Sequence, residues 1–161
     1  MKWVVIAAVF VCSHLQAATF RLDDSASPRA RVEPQRVMAD DGRPLSQSLA
    51  ARTASVQFGR IDYRLATASY VGRDARIYYV VPAGIPGLRS PAGLQLTWQS
   101  QGSFASGSAR PGQRTLVWSG KIRDAWFNES FMLNMQIQLA ELLPSSQPAL
   151  GFESYFEIDV H

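Results

Sequence analysis

From Phe131 onward, apolar residues fall at every second position, 131, 133, 135, 137 and 139, with Asn134, Gln136 and Gln138 between the last four of them. At about 100 degrees per residue these five positions would scatter around a helix, whereas at 180 degrees they share one face. Met, Leu and Gln are good helix formers, so periodicity overrides composition here. The stretch over 131–140 is a strand with one buried face. The end of the chain repeats the pattern: Phe152, Phe156, Ile158 and Val160 alternate with Glu153, Glu157 and Asp159.

Four more segments read as strands, over 55–65, 75–82, 93–99 and 114–123, and little reads as an amphipathic helix. Breaks between them are rich in Pro and Gly, at 82–87, 90–93, 106–112 and 144–148. Proline cannot continue a ladder and glycine admits the positive φ of tight turns. The segment at 75–82 is apolar for most of its length, as a central strand would be. In a chain of 161 residues, 47% of them apolar, this predicts one all-β domain: an antiparallel two-sheet sandwich, with a small barrel as the alternative.

Residues 18–51 differ in character. They are polar, broken by Pro28, Pro34, Gly42 and Pro44, and predict an N-terminal arm with short strands near 19–22 and 31–38, otherwise loop. The domain body then spans 52–161. Before the arm, Lys2, an apolar stretch over 3–12 and a polar region ending in Ala17-Ala18 have the layout of a secretory signal over residues 1–17. The stretch is too short to cross a bilayer as a helix, and no membrane span is expected elsewhere. The bulky Phe10 and Val11 before Cys12 argue against lipidation of that cysteine.

Removal of a signal decides much of the chemistry. Cys12 is the one cysteine, and of the two histidines, His14 leaves with the signal while His161 is the last residue. A Ser-His-Asp or Cys-His site needs an imidazole held rigidly beside its nucleophile, and zinc or copper sites need His and Cys ligands. No phosphate loop or dinucleotide fingerprint occurs. No catalytic, cofactor-binding or metal-binding residues are therefore assigned, and no cofactor is expected. The common hydrolytic pair that needs no histidine is two carboxylates acting on a glycan, for which Asp62, Asp74, Asp124 and Glu129 are the candidates.

The formal charge of +3 hides an asymmetry. Residues 18–123 carry fifteen basic and seven acidic side chains, a balance of +8; residues 124–161 carry six acidic and no basic ones, −6. The simplest arrangement sets acidic late strands against arginine-bearing early ones; the alternative is head-to-tail attraction between subunits. Arg29, Arg31 and Arg36 are interspersed with acids rather than aromatics, so nucleic-acid binding is not expected. Of Trp98, Trp118 and Trp126, two lie in strand-like runs and predict core packing rather than a sugar-binding face.

Three stretches stand out: Val32-Glu-Pro34 followed by Ala39-Asp-Asp-Gly-Arg-Pro-Leu45, Gly87-Leu-Arg-Ser90 leading into Leu94-Gln-Leu-Thr-Trp98, and the loop Leu143-Pro-Ser-Ser-Gln-Pro148 before the strand Gly151-Phe-Glu-Ser-Tyr-Phe-Glu-Ile-Asp-Val160. They resemble subunits of chaperone-usher pili, particularly the alternate, colonisation-factor type that lacks a disulfide. The resemblance implies an immunoglobulin-like β-sandwich with an incomplete sheet. Its groove would be filled by a periplasmic chaperone and then by the N-terminal arm of a neighbouring pilus subunit, by strand exchange. Here that arm offers Phe20 and Leu22 as its apolar residues. The expected role is a non-enzymatic structural subunit in the periplasm or at the cell surface. A self-sufficient periplasmic ligand-binding or inhibitor module is the alternative.

Overall fold

The computed structural model describes residues 18–28, 32–143, 150–151 and 153–161, so the signal read over 1–17 and the place of Phe152 lie outside the described residues. Among the described residues nine strands are formed: β1 (Ala18–Arg21), β2 (Arg36–Ala39), β3 (Thr53–Ala66), β4 (Asp74–Val80), β5 (Leu94–Ser100), β6 (Gly107–Ala109), β7 (Arg114–Lys121), β8 (Trp126–Gln138) and β9 (Tyr155–Val160). They make an antiparallel all-β sandwich of two sheets, ordered β1-β9-β4-β7 and β2-β3-β8-β5-β6.

The spine is the long pair β3–β8, in register from Thr53 opposite Gln138 to Ala66 opposite Trp126. Phe131, Leu133, Met135 and Ile137 are buried, as their alternation requires, while Leu139 turns off into a short 3-10 turn over Leu139–Glu141. Strand β8 starts five residues earlier than the pattern shows, because the inward position at 129 is filled by a glutamate. A bulge between Gln57 and Gly59 kinks β3. Gly59 has φ 73°, a left-handed conformation that favours glycine; a Cβ there would also displace the end of the Gln35 side chain.

In a constant-type immunoglobulin sandwich one sheet runs A-B-E-D and the other C-F-G. Strands β2, β3, β8 and β5 occupy the first set of places, and β4 and β9 those of C and F. The place outside β9, which a following strand takes in that fold, is held by β1 from the N-terminal side of the chain. Both short strands of the polar arm thus join the two sheets. The arm does not run loose between them at first: Leu22 N–H donates to the Phe156 carbonyl at 2.8 Å and Ala66 N–H to that of Asp23 at 2.9 Å. Strand β6 falls within the Gly- and Ser-rich stretch read as a turn; three residues of it pair with β5.

Between the sheets sits an aromatic cluster. Tyr79 meets Trp98 edge-on at 4.9 Å and Phe156 at 5.0 Å, while Trp98 and Phe131 stack at 6.0 Å. The polar ends are satisfied: the Tyr79 and Ser154 hydroxyls share a hydrogen bond at 2.5 Å, with the Tyr63 hydroxyl at 3.4 Å from that of Tyr79. Burial pushes the Tyr63 phenol well above its usual pKa and Tyr79 upward. Core packing is borne out for Trp98; Trp118 is half-buried, and Trp126 is 38% exposed.

Candidate functional site

Strand β1 is the least embedded of the two sheets' edges. Its four residues are all exposed and its backbone pairs only with β9, Ala18 opposite Val160 through Arg21 opposite Glu157. Phe20, 46% exposed, tilts against Tyr70 with centroids 5.8 Å apart. The anchor is the next residue: Leu22 is 2% exposed and joins the core.

On the outer face of this sheet a charge network crosses all four strands. Arg114 on β7 extends over the Tyr78 ring of β4, its guanidinium 3.5 Å from the centroid. Its Nε donates to Glu157 at 2.6 Å, and its two terminal nitrogens donate to Asp159 at 3.1 and 2.5 Å. Thr19 of β1 donates its hydroxyl to Asp159 at 2.6 Å. The hydrogen bonds from Arg114 hold the Asp159 carboxyl below the ordinary aspartate value. Arg76 on β4 lies opposite Asp159 in register, and Arg21 on β1 bonds Glu153 at 2.6 Å and covers the Tyr155 ring. The acidic end of the sequence therefore meets arginines of earlier strands within one chain.

Beside the β1–β9 edge the sheets part to leave a cleft of about 870 Å³, lined by inner-face residues such as Val56, Ile61, Leu133, Met135 and Ile137. Val32, Leu150 and the start of the β9 segment form its other wall. This is the side on which the described chain leaves β1 and enters β2. The opposite side is closed more fully, where Ala105 N–H donates to the Val117 carbonyl of β7 at 2.7 Å.

The four carboxylates singled out for glycan hydrolysis do not form a pair. Asp62 and Glu129 are neighbours in register on β3 and β8 but point to opposite faces of the sheet. Asp62 faces out, accepting from Arg60 Nε at 2.7 Å and from the Ser130 hydroxyl at 2.5 Å. Asp74 begins β4 and Asp124 lies in the exposed turn before β8, on neither of which does another candidate sit. Glu129, only 4% exposed, accepts hydrogen bonds from Ser103 N–H at 2.9 Å, the Ser103 hydroxyl at 2.5 Å, Phe104 N–H at 3.4 Å and the Ser100 hydroxyl at 3.4 Å. It is the pin of the loop after β5. Glycine is favoured at 102 in that loop, since a Cβ would push against the Glu129 carboxylate that these hydrogen bonds hold in place.

Among the described residues no cluster of three or more His, Cys, Asp and Glu side chains could hold a metal, and no helix is long and apolar enough to cross a membrane. His161 is exposed, its N–H donating to the Asp74 carbonyl at 3.0 Å. No protein-family model matches the chain, and neither the curated proteins nor the solved structures compared with it give a match.

Proposed function

We propose that the chain is an exported structural subunit of a surface pilus or a related assembly, joined to its partners by β-strand addition at the outer edge of β9. The observation that supports this reading is the way that edge is filled: by a four-residue strand with exposed side chains, one partner strand and one buried anchor, Leu22. Main-chain hydrogen bonds give such a strand its affinity and alternate side chains its register, so an equivalent strand from another chain can make the same bonds, against the effective concentration of the tethered β1. A periplasmic chaperone and the arm of a neighbouring subunit are the partners this role calls for. The adjoining apolar cleft would seat further side chains of a longer incoming strand.

A specific observation favours a second reading. Because β1 of the same chain already completes the edge, the sandwich has its full set of strands without outside help. That suits a self-sufficient periplasmic binding or inhibitor module. Deleting residues 18–22 separates the two. An assembly subunit should then aggregate, recover on addition of a synthetic peptide spanning residues 18–28, and in its intact form link into oligomers as concentration rises. An intact chain that stays monomeric at every concentration, and a truncated one that ignores the peptide, would sink the assembly reading.

A further inference from the structure

The outer face of β3, β8 and the end of β5 carries a second feature, to which Ala26 and Pro28 of the arm after β1 add a rim. A polar hollow of about 530 Å³ is lined by Arg60, Asp62 and Arg64 of β3, Asn128 and Ser130 of β8, and Gln101 of the following loop, among others. One wall is held rigid from behind. The loop through Gln101 and Gly102 is fixed by the buried Glu129 carboxylate, and Gln101 N–H donates to the Ser130 carbonyl at 2.9 Å. Preorganisation of this kind lowers the ordering cost of binding.

The charges in the hollow are not equally engaged. Arg60 is held by Asp62 at 2.7 Å and donates to the Ser130 hydroxyl at 3.0 Å. Arg64 instead lies with its guanidinium 4.5 Å from the centre of the exposed Trp126 ring, and no carboxylate among the described residues pairs with it. A guanidinium laid on an indole is pre-oriented, and its planar fork matches one carboxylate by two parallel hydrogen bonds. Around it stand the amides of Asn128 and Gln101, which donate and accept. Those are partners for hydroxyl groups. Asp62 disfavours a polyanion such as nucleic acid, which would bring phosphates against it.

We propose that this hollow binds a saccharide bearing a single carboxylate, of the uronic acid kind. Arg64 takes the carboxylate, Asn128 and Gln101 take ring hydroxyls, and the Trp126 indole offers apolar surface to a ring carbon edge. None of these ligand-binding residues lies on β1 or β9, although Ala26 and Pro28 of the arm after β1 also line the hollow.

The test titrates the full chain with an oligosaccharide ending in glucuronic acid, with its glucose-ended counterpart and with acetate, following tryptophan fluorescence and the Trp126 indole signal by NMR. Saturable binding of the acidic sugar is expected, at least about tenfold tighter than either comparison, with Arg64→Ala and Asn128→Ala each losing about tenfold. Arg64→Lys keeps the charge but not the fork and should fall between. Both positions are exposed, so an unchanged denaturation midpoint verifies that the variants fold. Equal response to the acidic and neutral sugars, acetate binding as well as the sugar, or indifference to Arg64→Ala would each overturn the assignment.

Discussion

Replacing Leu22 by alanine isolates the one apolar contact that ties β1 to the core. The side chain is 2% exposed, and burying a leucine in a packed core makes its truncation cost about 2–5 kcal/mol, the lower values where the surroundings can collapse. The residue sits at the margin of the sandwich, near an open cleft, so about 3 kcal/mol is the expected figure. Since 1.4 kcal/mol is tenfold in an equilibrium constant, local release of β1 should become about a hundredfold more frequent. Phe20→Ala is the matched control two residues earlier, on the same face but 46% exposed. It loses a partial ring contact with Tyr70, a matter of about 0.5–1 kcal/mol. Urea denaturation gives the global cost, and hydrogen exchange at the β1–β9 amides gives the local one. If Phe20→Ala is as damaging as Leu22→Ala, or if Leu22→Ala costs under about 1 kcal/mol, Leu22 is not the anchor.

Acidity should act on the same edge. Asp159 has a folded pKa below the ordinary aspartate value, so its contribution is present above about pH 4 and is lost as pH falls further; urea denaturation at pH 6 and pH 3 should show this loss, and Asp159→Asn should diminish it. Gly102→Ala drives a methyl into Glu129 and should lower the thermal midpoint by several degrees, whereas Ala substitution of the unobstructed Gly84 should change it little. Glu129→Ala leaves the N–H groups of Ser103 and Phe104 without their acceptor and should destabilise by about 2–3 kcal/mol, measured by chemical denaturation. Tyr79→Phe removes the hydroxyl bonded to Ser154 and should cost about 1 kcal/mol in the same assay.

What could be read from the residues follows the period of two. Positions 131, 133, 135 and 137 are buried where alternation puts them, and β4, apolar for most of its length, lies between β9 and β7 inside its sheet. The start of β8 was hidden because Glu129 breaks the apolar rhythm at an inward position, a place justified only by loop donors up to 29 residues away. Strand β6 has no strand propensity in its Gly-Ser-Ala sequence; pairing to β5 makes it a strand. The reach of Arg114 across β4 to two acids on β9 depends on strand order, which residue spacing does not encode. The same is true of the polar hollow, whose residues come from two long strands and the loop after a third. The four candidate acids were visible as residue types, but only registry shows Asp62 and Glu129 back to back across a sheet.

The antiparallel pairing of β1 with β9 has a mechanical consequence. Ala18 lies opposite Val160, so the first residue of β1 and the last of β9 lie side by side at one end of the sheet. A load pulling these two points apart acts across the ladder rather than along it, and meets its hydrogen bonds one at a time, each worth about 1 kcal/mol net. The strand peels from Ala18 toward Arg21, and resistance rises only when Leu22 must leave the core. The edge is thus compliant under tension, in contrast to the long β3–β8 pair of the other sheet, which such a load does not reach.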